Sequence, residues 1–387
     1  SGTIVDTQAV VTIVDDDNPP TISIADATAA NENAASTNLV VSLSTASSKT
    51  ITVDYATANS TATAGADYTA DTGTVTILAG ATTGTIAVAV LSDSMDEDDE
   101  IVHVDLSNAT NASISDAQGA LTITDDDSTP SLSIADGTST DENSVTVVVS
   151  LSSASGRSVT VNAAASDGTA TQGSDFNAFS STVTFASGET TKSVSIPLIN
   201  DSSDEDDETF TVTLSSANNA TISSATATAT ITDDDAPPAL SIQSVSVAEN
   251  AGTASLNVTL DAASEKTITV DYVSSAGTAC HCSSDFAAIS STTLTFTAGQ
   301  TSKTISATIS DDSVDEMDET FDITLSNASN ATIAVGTGTV TITDDDPAPT
   351  ISINDVTTAD EAAASTNLVA TLSAASEKTI TVDFATS

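Results

Sequence analysis

Apolar and polar residues alternate with a period of two along short segments of the chain, and Gly, Asn, Asp and Ser separate these segments. Seven such segments occur between residues 20 and 127, and their alternating apolar residues are Ile22 and Ile24; Leu39, Val41 and Leu43; Ile51, Val53 and Tyr55; Val75 and Ile77; Ile86, Val88 and Val90; Val102, Val104 and Leu106; and Leu121 and Ile123. A period of two predicts β-strands that bury one face. Seven short strands are typical of an antiparallel β-sandwich of the immunoglobulin type. No segment keeps a helical period, so the predicted fold class is all-β.

The same pattern returns along the chain. The repeated segments read VTIVDDDNPPTISIAD (11–26), LTITDDDSTPSLSIAD (121–136), ATITDDDAPPALSIQS (229–244) and VTITDDDPAPTISIND (340–355). Their Asp triplets begin at residues 15, 125, 233 and 344, so the periods are 110, 108 and 111 residues. This length is typical of a whole domain and is too long for one turn of a solenoid.

These periods predict tandem immunoglobulin-like sandwiches. Complete modules are expected at 18–127, 128–235 and 236–346. We expect residues 1–17 to be the last strand of a preceding module, and residues 347–387 to be the first strands of a further, incomplete module. The linkers after the triplets read NPP, STP, APP and PAP, and proline restricts both its own backbone and that of the residue before it. Consecutive modules should therefore stack end to end as a rod.

The net charge of the chain excludes one class of binding partner and favours another. The chain has 55 Asp and Glu against 6 Lys and Arg, a formal net charge of −49. Such a polyanion repels the phosphates of nucleic acid, which is excluded as a partner. Cations are the predicted partner instead, because they offset the self-repulsion of a highly charged compact state. No apolar run reaches membrane-spanning length, so no membrane insertion is expected in this segment.

The acidic residues are concentrated in one stretch of each module. The stretches read LSDSMDEDDE (91–100), INDSSDEDDE (199–208) and ISDDSVDEMDE (309–319). In an antiparallel sandwich alternate turns lie at the same end, so the first stretch can meet the Asp triplet, Glu32 and Asp67 at one pole. Calcium accepts six to eight oxygen ligands in flexible geometry, whereas magnesium requires a tight octahedron and keeps its waters. The alternative, solvated acidic loops, does not explain why four separate elements recur at fixed positions.

These residues resemble the Calx-beta domain family, first seen in regulatory domains of sodium–calcium exchangers. The resemblance covers the three modules and both partial ends. It depends on the early Glu, a G-x-D-[YF] loop, a D-x-[D/E]-E-x-D-E stretch and the closing Asp triplet. It implies a β-sandwich that binds several calcium ions at one end of each module.

Carried over position by position, the resemblance implies one set of ligands for each module. In the first module these are Glu32, Asp67, Asp93, Glu97, Glu100, Asp125, Asp126 and Asp127, with the backbone carbonyl of Met95. In the second they are Glu142, Asp175, Asp201, Glu205, Glu208, Asp233, Asp234 and Asp235, with the carbonyl of Ser203. In the third they are Glu249, Asp285, Asp311, Asp312, Glu316, Glu319, Asp344, Asp345 and Asp346, with the carbonyl of Val314.

Only the third module has two adjacent Asp at the start of its acidic stretch. Ser92 and Asn200 stand at that position in the other two modules, which puts one of the family's ion positions in doubt there. The partial fourth module contributes Glu361 alone.

Three further features have a structural and a functional interpretation. Cys280, His281 and Cys282 form either a loop variation or a soft metal site, although their spacing is too tight for the usual zinc pair. Asparagines in N-x-[S/T] triplets suit either turns or glycan attachment; they are Asn108, Asn111, Asn219, Asn327 and Asn330. The basic residues precede strands and are interpreted as protection of strand edges; they are Lys49, Arg157, Lys192, Lys266, Lys303 and Lys378.

The leading functional hypothesis is a calcium-rigidified stalk, adhesin or filament segment of a long extracellular or cell-surface protein. Its partners would be calcium ions, neighbouring modules, and like chains or a cell-surface or matrix ligand. The alternatives are a calcium-sensing regulatory array of a membrane protein and a non-catalytic spacer of a secreted enzyme. No Ser or Cys has an evident activating partner, so we do not expect an enzyme.

Overall fold

The computed structural model describes residues 2–29, 31–279, 285–357, 362 and 365–386 of the chain. The regular structure in these residues is β-strand, apart from one 3-10 turn at Glu249–Ala251. Cys280, His281, Cys282 and Glu361 lie outside the described residues. No helix in the described part of the chain has the length and apolar character that a membrane span requires.

The strands form three sandwiches, each made of a four-stranded and a five-stranded sheet. The first sandwich contains β1 (Thr21–Ile24), β2 (Ala27–Thr28), β3 (Thr37–Leu43), β4 (Ile51–Asn59), β5 (Thr72–Ile77), β6 (Thr83–Val88), β7 (Glu100–Thr110), β8 (Ser113–Ile114) and β9 (Gln118–Ile123). Its sheets have the strand orders β6-β3-β1-β8 and β2-β9-β7-β4-β5. The all-β immunoglobulin-like fold predicted from the period of two is confirmed, and each of the seven predicted strands is present.

The second and third sandwiches repeat this topology. The second contains β10 (Ser131–Ala135), β11 (Gly137–Thr138), β12 (Ser144–Leu151), β13 (Val159–Ser166), β14 (Ser180–Phe185), β15 (Thr191–Pro197), β16 (Glu208–Asn218), β17 (Thr221–Ser224) and β18 (Thr226–Ile231). The third contains β19 (Ala239–Ile242), β20 (Val245–Ala248), β21 (Thr253–Leu260), β22 (Ile268–Ala276), β23 (Thr292–Phe296), β24 (Ser302–Thr308), β25 (Glu319–Ser329), β26 (Thr332–Val335) and β27 (Thr337–Thr343). The sheets of the second sandwich have the strand orders β15-β12-β10-β17 and β11-β18-β16-β13-β14. Those of the third have the orders β24-β21-β19-β26 and β20-β27-β25-β22-β23.

The two ends of the chain carry little regular structure. Residues 2–20 form no strand, and Ile4, Val5 and Val11 are exposed there. Towards the other end, β28 (Ile351–Ile353) and β29 (Ala370–Leu372) form a two-stranded sheet. A strand needs a neighbour to satisfy its backbone groups. The assignment of both ends to further modules therefore stays a prediction.

The first strand of each sandwich crosses between the sheets, which sequence analysis did not predict. β1 pairs with β3, and the short β2 then pairs in parallel with β9 in the other sheet. At the crossing, the amide of Ala120 donates to the Asp26 carboxylate at 2.8 Å. Beyond β2, the amide of Glu32 donates to the carbonyl of Thr124 at 3.1 Å. The crossing therefore brings an early acidic residue next to the Asp triplet.

Each core is a single aliphatic cluster with few rings. Phe176 and Phe210 stack in the second sandwich with ring centroids 4.3 Å apart, and Phe286 and Phe321 stack at 3.9 Å in the third. The first sandwich has Tyr68 in place of the phenylalanine of its neighbours, and its hydroxyl donates to Asn59 at 2.6 Å. The buried ring of Tyr68 directly follows Asp67, so it fixes the loop that carries this aspartate.

Asparagines close the long strand of each sandwich. Asn111, Asn219 and Asn330 have left-handed backbones, with φ of 59°, 58° and 57°. Their amide groups donate to the carbonyls of Thr50, Ser158 and Thr267 at 2.9–3.0 Å. Asn tolerates this backbone better than most residues, so the turn interpretation explains the geometry at these three positions, and glycan attachment stays a prediction.

We expect Phe210→Ala to lower the free energy of unfolding of the second sandwich by about 3–5 kcal/mol, because it leaves a cavity in a core with few rings. Phe210 is 1% exposed. Hydrogen exchange followed by mass spectrometry resolves the modules and should show faster exchange in β13 and β16. The matched control is Leu78→Ala, at a side chain that is 66% exposed, where a change below about 0.5 kcal/mol is expected. Equal protection in the two variants would contradict the packing described.

Candidate metal centres

Carboxylates from four separate segments meet at one end of the first sandwich, which we call its acidic pole. Two groups of three residues offer carboxylate oxygens that lie within 4.8 Å of one another; they are Glu32, Asp93 and Asp127, and Asp67, Glu97 and Glu100. A cavity between them is lined by Glu32, Asp67, Glu97, Asp98, Glu100, Ile123 and Asp125. The structure thus brings together most of the side chains that the sequence placed at one pole.

The acidic poles of the other sandwiches are built in the same way. Groups with the same 4.8 Å spacing are Glu142, Asp201 and Asp235; Asp175, Glu205 and Glu208; and Glu249, Asp344 and Asp346. A cavity of the third sandwich is lined by Glu249, Asp285, Glu316, Met317, Glu319, Ile342 and Asp344. The extra aspartate of the third module, Asp311, adds its charge to those that raise the pKa of Glu249.

Local hydrogen bonds hold these carboxylates in place. Asp67 accepts from the amide of Thr63 at 2.6 Å, which closes the tight loop before Tyr68. The amide of Asp125 donates to Asp99 at 3.2 Å, where the triplet leaves β9. Asp207 and Asp318 make the same contact with Asp233 and Asp344 in the other sandwiches. Sequence analysis missed this supporting aspartate, although it recurs in phase.

Several of these oxygens are buried without a donor. The Glu32 side chain is only 8% exposed, and its Oε1 receives no hydrogen bond from any donor group described. The Oδ2 atoms of Asp127, Asp235 and Asp346 are likewise buried without a partner. Leaving a buried polar atom unsatisfied costs about 1–3 kcal/mol. A proton shared between two carboxylates, an ordered water or a cation can satisfy these atoms.

The acidic poles raise the affinity of their glutamates for protons. Burial, then the adjoining carboxylate of Asp127 and further negative charges, raise the pKa of Glu32 to about 7. Burial and then neighbouring carboxylates raise the pKa of five more glutamates to about 7; they are Glu100, Glu205, Glu208, Glu316 and Glu319. The acids are therefore gathered without enough positive charge to balance them.

Other predicted ligands lie at the rim. The middle residue of each triplet is exposed: Asp126, Asp234 and Asp345. Asp126 accepts from Asn33 at 2.7 Å, and Asp345 accepts from the side-chain amide of Asn250. The amides of Met95, Ser203 and Val314 donate to Asp93, Asp201 and Asp312 at 2.7–2.8 Å. Their carbonyls, like the middle aspartates, stay predictions as ligands.

Each acidic pole also contacts the next module, through a feature that sequence analysis missed. A loop of the following module, which we call the docking loop, lies against it; the docking loops are residues 152–158, 261–267 and 373–379. The contact centres on an aspartate that is 2–5% exposed: Asp96, Asp204 or Asp315. In the second joint, Ser264 Oγ donates to the Asp204 carbonyl at 2.8 Å and to its Oδ2 at 3.0 Å.

The basic residue of the docking loop completes this contact. Lys266 Nζ lies 2.8 Å from Asp204 Oδ1 and 3.6 Å from Asp233 Oδ2. Lys378 Nζ lies 2.6 Å from Asp315 Oδ1 and 2.9 Å from Asp344 Oδ2. Arg157 Nε lies 2.9 Å from Asp98 Oδ1. The interpretation of these three residues as edge protection was wrong, because their charged groups reach the preceding sandwich.

Comparisons with known proteins agree with this architecture. The model of the Calx-beta domain family matches residues 15–127, 125–235 and 239–346. The solved structure "Crystal structure of CBD12 from CALX1.2" is 17% identical, with 55% of this chain and 99% of that chain covered, at a TM-score of 0.28. The solved structure "Crystal structure of calcium binding domain CBD12 of CALX1.1" is 19% identical, with 51% of this chain and 79% of that chain covered, at a TM-score of 0.27. These scores are low, so the family model alone decides the assignment. No curated protein matches the chain.

In buffer with a chelator, we expect the melting temperature of the chain to fall between pH 5 and pH 8. The glutamates with a folded-state pKa of about 7 have an ordinary pKa of 4.5, so the folded state binds more protons than the unfolded state between these values. Stability is therefore greatest below pH 4.5 for these groups and is lost as the pH rises through 7. Differential scanning calorimetry measures this.

The matched variant for this pH dependence carries Glu100→Gln, Glu208→Gln and Glu319→Gln together. Its melting temperature should change less with pH than that of the wild type, because three of the raised carboxyl groups are gone. A wild-type protein that is more stable at pH 8 than at pH 5 without metal would contradict the electrostatics described.

We expect Lys266→Met to weaken the joint between the second and third sandwiches by about 1–3 kcal/mol, because it leaves the buried charge of Asp204 unpaired. The amide of Glu265, which donates to the Asp204 carbonyl at 3.1 Å, should then exchange its hydrogen faster. Lys303→Met is the control, since it removes the same charge from β24. Equal protection of this amide in both variants would show that Lys266 does not hold the joint.

Proposed function

Since the chain belongs to the Calx-beta domain family, we propose that each sandwich binds calcium ions among the carboxylates of its acidic pole. We further propose that the tandem array is a calcium-stiffened segment of an extracellular or cell-surface protein. The two statements rest on different observations, the donor set of the pole and the contacts of the joint.

The buried Oε1 of Glu32 carries the first statement. The Glu32 side chain is 8% exposed and offers an oxygen within 4.8 Å of carboxylate oxygens of Asp93 and Asp127. Its Oε1 receives no hydrogen bond within the described part of the chain. A doubly charged cation supplies what the site lacks. Carboxylate oxygens gathered from separate loops suit calcium, which accepts six to eight oxygen ligands in flexible geometry, better than magnesium, which requires a tight octahedron.

The residues that would hold calcium are those whose carboxylates converge. In the first sandwich they are Glu32, Asp67, Asp93, Glu97, Glu100, Asp125 and Asp127. The exposed Asp126 and the carbonyl of Met95 would complete the shell from the rim. Bound calcium would supply positive charge, which offsets the repulsion between carboxylates and displaces the shared protons.

The joints carry the second statement. Because Asp96, Asp204 and Asp315 lie within the acidic stretches and contact the next docking loop, the order of the pole and the order of the joint are coupled. Calcium that orders the pole would therefore also hold the docking loop. Three joints with the same aspartate–serine contact favour a role in which the array as a whole resists bending, as in a stalk, adhesin or filament.

The regulatory alternative uses the same acidic poles and differs in affinity. A calcium-sensing array of a membrane protein has to respond in the micromolar range or below, whereas an extracellular module can bind at about 10⁻⁴–10⁻³ M. Isothermal titration of the chelator-treated chain separates the two. Submicromolar binding at all poles would contradict the extracellular role, and a spacer role beside a secreted enzyme would share the weaker affinity.

We expect millimolar calcium to raise the melting temperature of the chelator-treated chain and magnesium to raise it less. A site filled at about 100 times its dissociation constant adds about 2.7 kcal/mol to stability. Calorimetry and small-angle X-ray scattering measure the gain in stability and the expected gain in length.

The variant with Glu97→Gln and Glu100→Gln isolates one acidic pole. It should lose the calcium-dependent protection of the first sandwich and keep that of the third, as judged by hydrogen exchange. A wild-type chain whose melting curve and scattering profile are the same with calcium and with chelator would refute the proposal.

A further inference from the structure

The docking loop places a carboxylate next to the calcium ligands of the preceding sandwich in two of the three joints. The residue before the basic residue is Gly156 in the first joint, Glu265 in the second and Glu377 in the third. In all three, its amide donates to the carbonyl of the buried aspartate at 3.1 Å. The backbone at this position is therefore fixed against the acidic pole in the same way each time.

Gly156 shows where a side chain at this position points. A Cβ atom built on Gly156 would lie 2.3 Å from Glu97 Oε1 and 2.8 Å from Glu97 Cδ. Glu97 corresponds to Glu205 and Glu316 in the other acidic stretches. The side chains of Glu265 and Glu377 therefore leave the backbone towards the carboxylates of Glu205 and Glu316.

The electrostatics agree with this direction. Glu265 is the carboxylate whose charge acts most strongly on Glu205, and Glu377 has the same relation to Glu316. The adjacent Lys266 does not remove this repulsion, because its ammonium group is directed to Asp204 and Asp233. Glu265 of the third module is thus held beside Glu205 of the second module. Glu205 already has carboxylate oxygens of Asp175 and Glu208 within 4.8 Å of its own.

We propose that Glu265 and Glu377 are calcium ligands supplied across the joint, completing the sites of the second and third sandwiches. This inference rests on the proposed calcium binding. An ion held by carboxylates of two modules is a direct link between them. The first joint has no such ligand, because Gly156 stands at that position, and it has Arg157 with Asp98 instead. The second and third joints should therefore tighten with calcium more than the first.

The test uses the full chain, with calcium and terbium ions as probes. We expect Glu265→Gln to weaken calcium binding at one class of sites by about tenfold, a loss typical of removing one supporting group from a metal site. Glu265→Ala, which also removes the ligand oxygen, should let about one more water reach bound terbium, as measured by luminescence lifetimes in light and heavy water. The control is Glu189→Gln, which removes the same charge from a residue paired with Lys192.

Salt separates a ligand from a distant charge. In 1 M salt the Debye length is about 3 Å, so a long-range effect of Glu265 would disappear while the loss of a bound oxygen would remain. The reciprocal variant Gly156→Glu should tighten calcium binding at the first sandwich, because the atoms that its Cβ would displace all belong to the flexible side chain of Glu97.

The outcomes are distinct. If Glu265→Gln binds calcium as tightly as Glu189→Gln, or more tightly, the ligand across the joint is refuted and calcium binding by the sandwiches stands. If the weakening disappears in 1 M salt and the terbium hydration does not change, Glu265 acts only through its charge and the inference is again refuted. If the wild-type chain binds no calcium, the proposed function fails and the inference fails with it.

Discussion

Repulsion between carboxylates is the interaction on which the rest of the structure depends. The sheets force acids from four segments into one small volume, and one basic side chain among the described residues reaches each acidic pole. Protons satisfy part of this charge, as the pKa of about 7 at Glu32 and Glu100 indicates. The sandwich keeps the acids together, and the calcium ions proposed above would offset the repulsion between them.

The fold and most of the acidic pole could be predicted from the sequence, because both depend on periodic signals. Alternation at two positions identified Val102 and Val104 as buried, and both are fully buried on β7. The triplet and the acidic stretch recur at fixed spacing, and antiparallel topology brings their loops to one end. The placement of Glu100 and Asp125 at the acidic pole could be predicted from this recurrence and topology alone.

The joint could not be predicted, because its residues carry no local signal for a contact about 60 positions away. Lys266 precedes a strand, and nothing in its neighbourhood indicates that Asp204 lies 2.8 Å from its ammonium group. Only the shared phase of the S-x-[KR] segment and the buried aspartate could have linked them. The middle aspartate of each triplet is more exposed than its neighbours, as at Asp126, and its assignment as a ligand stays a prediction.

The aspartate–serine contact recurs at each joint with a nearly constant separation of 59, 60 and 61 residues. A complete module between two joints therefore has the contacting serine near its first strands and the contacting aspartate in its acidic stretch. Duplication of a stretch of about one module inserts a unit that fits both its new neighbours without any compensating substitution. The number of modules can thus change in evolution while the aspartate–serine contact between consecutive modules stays the same.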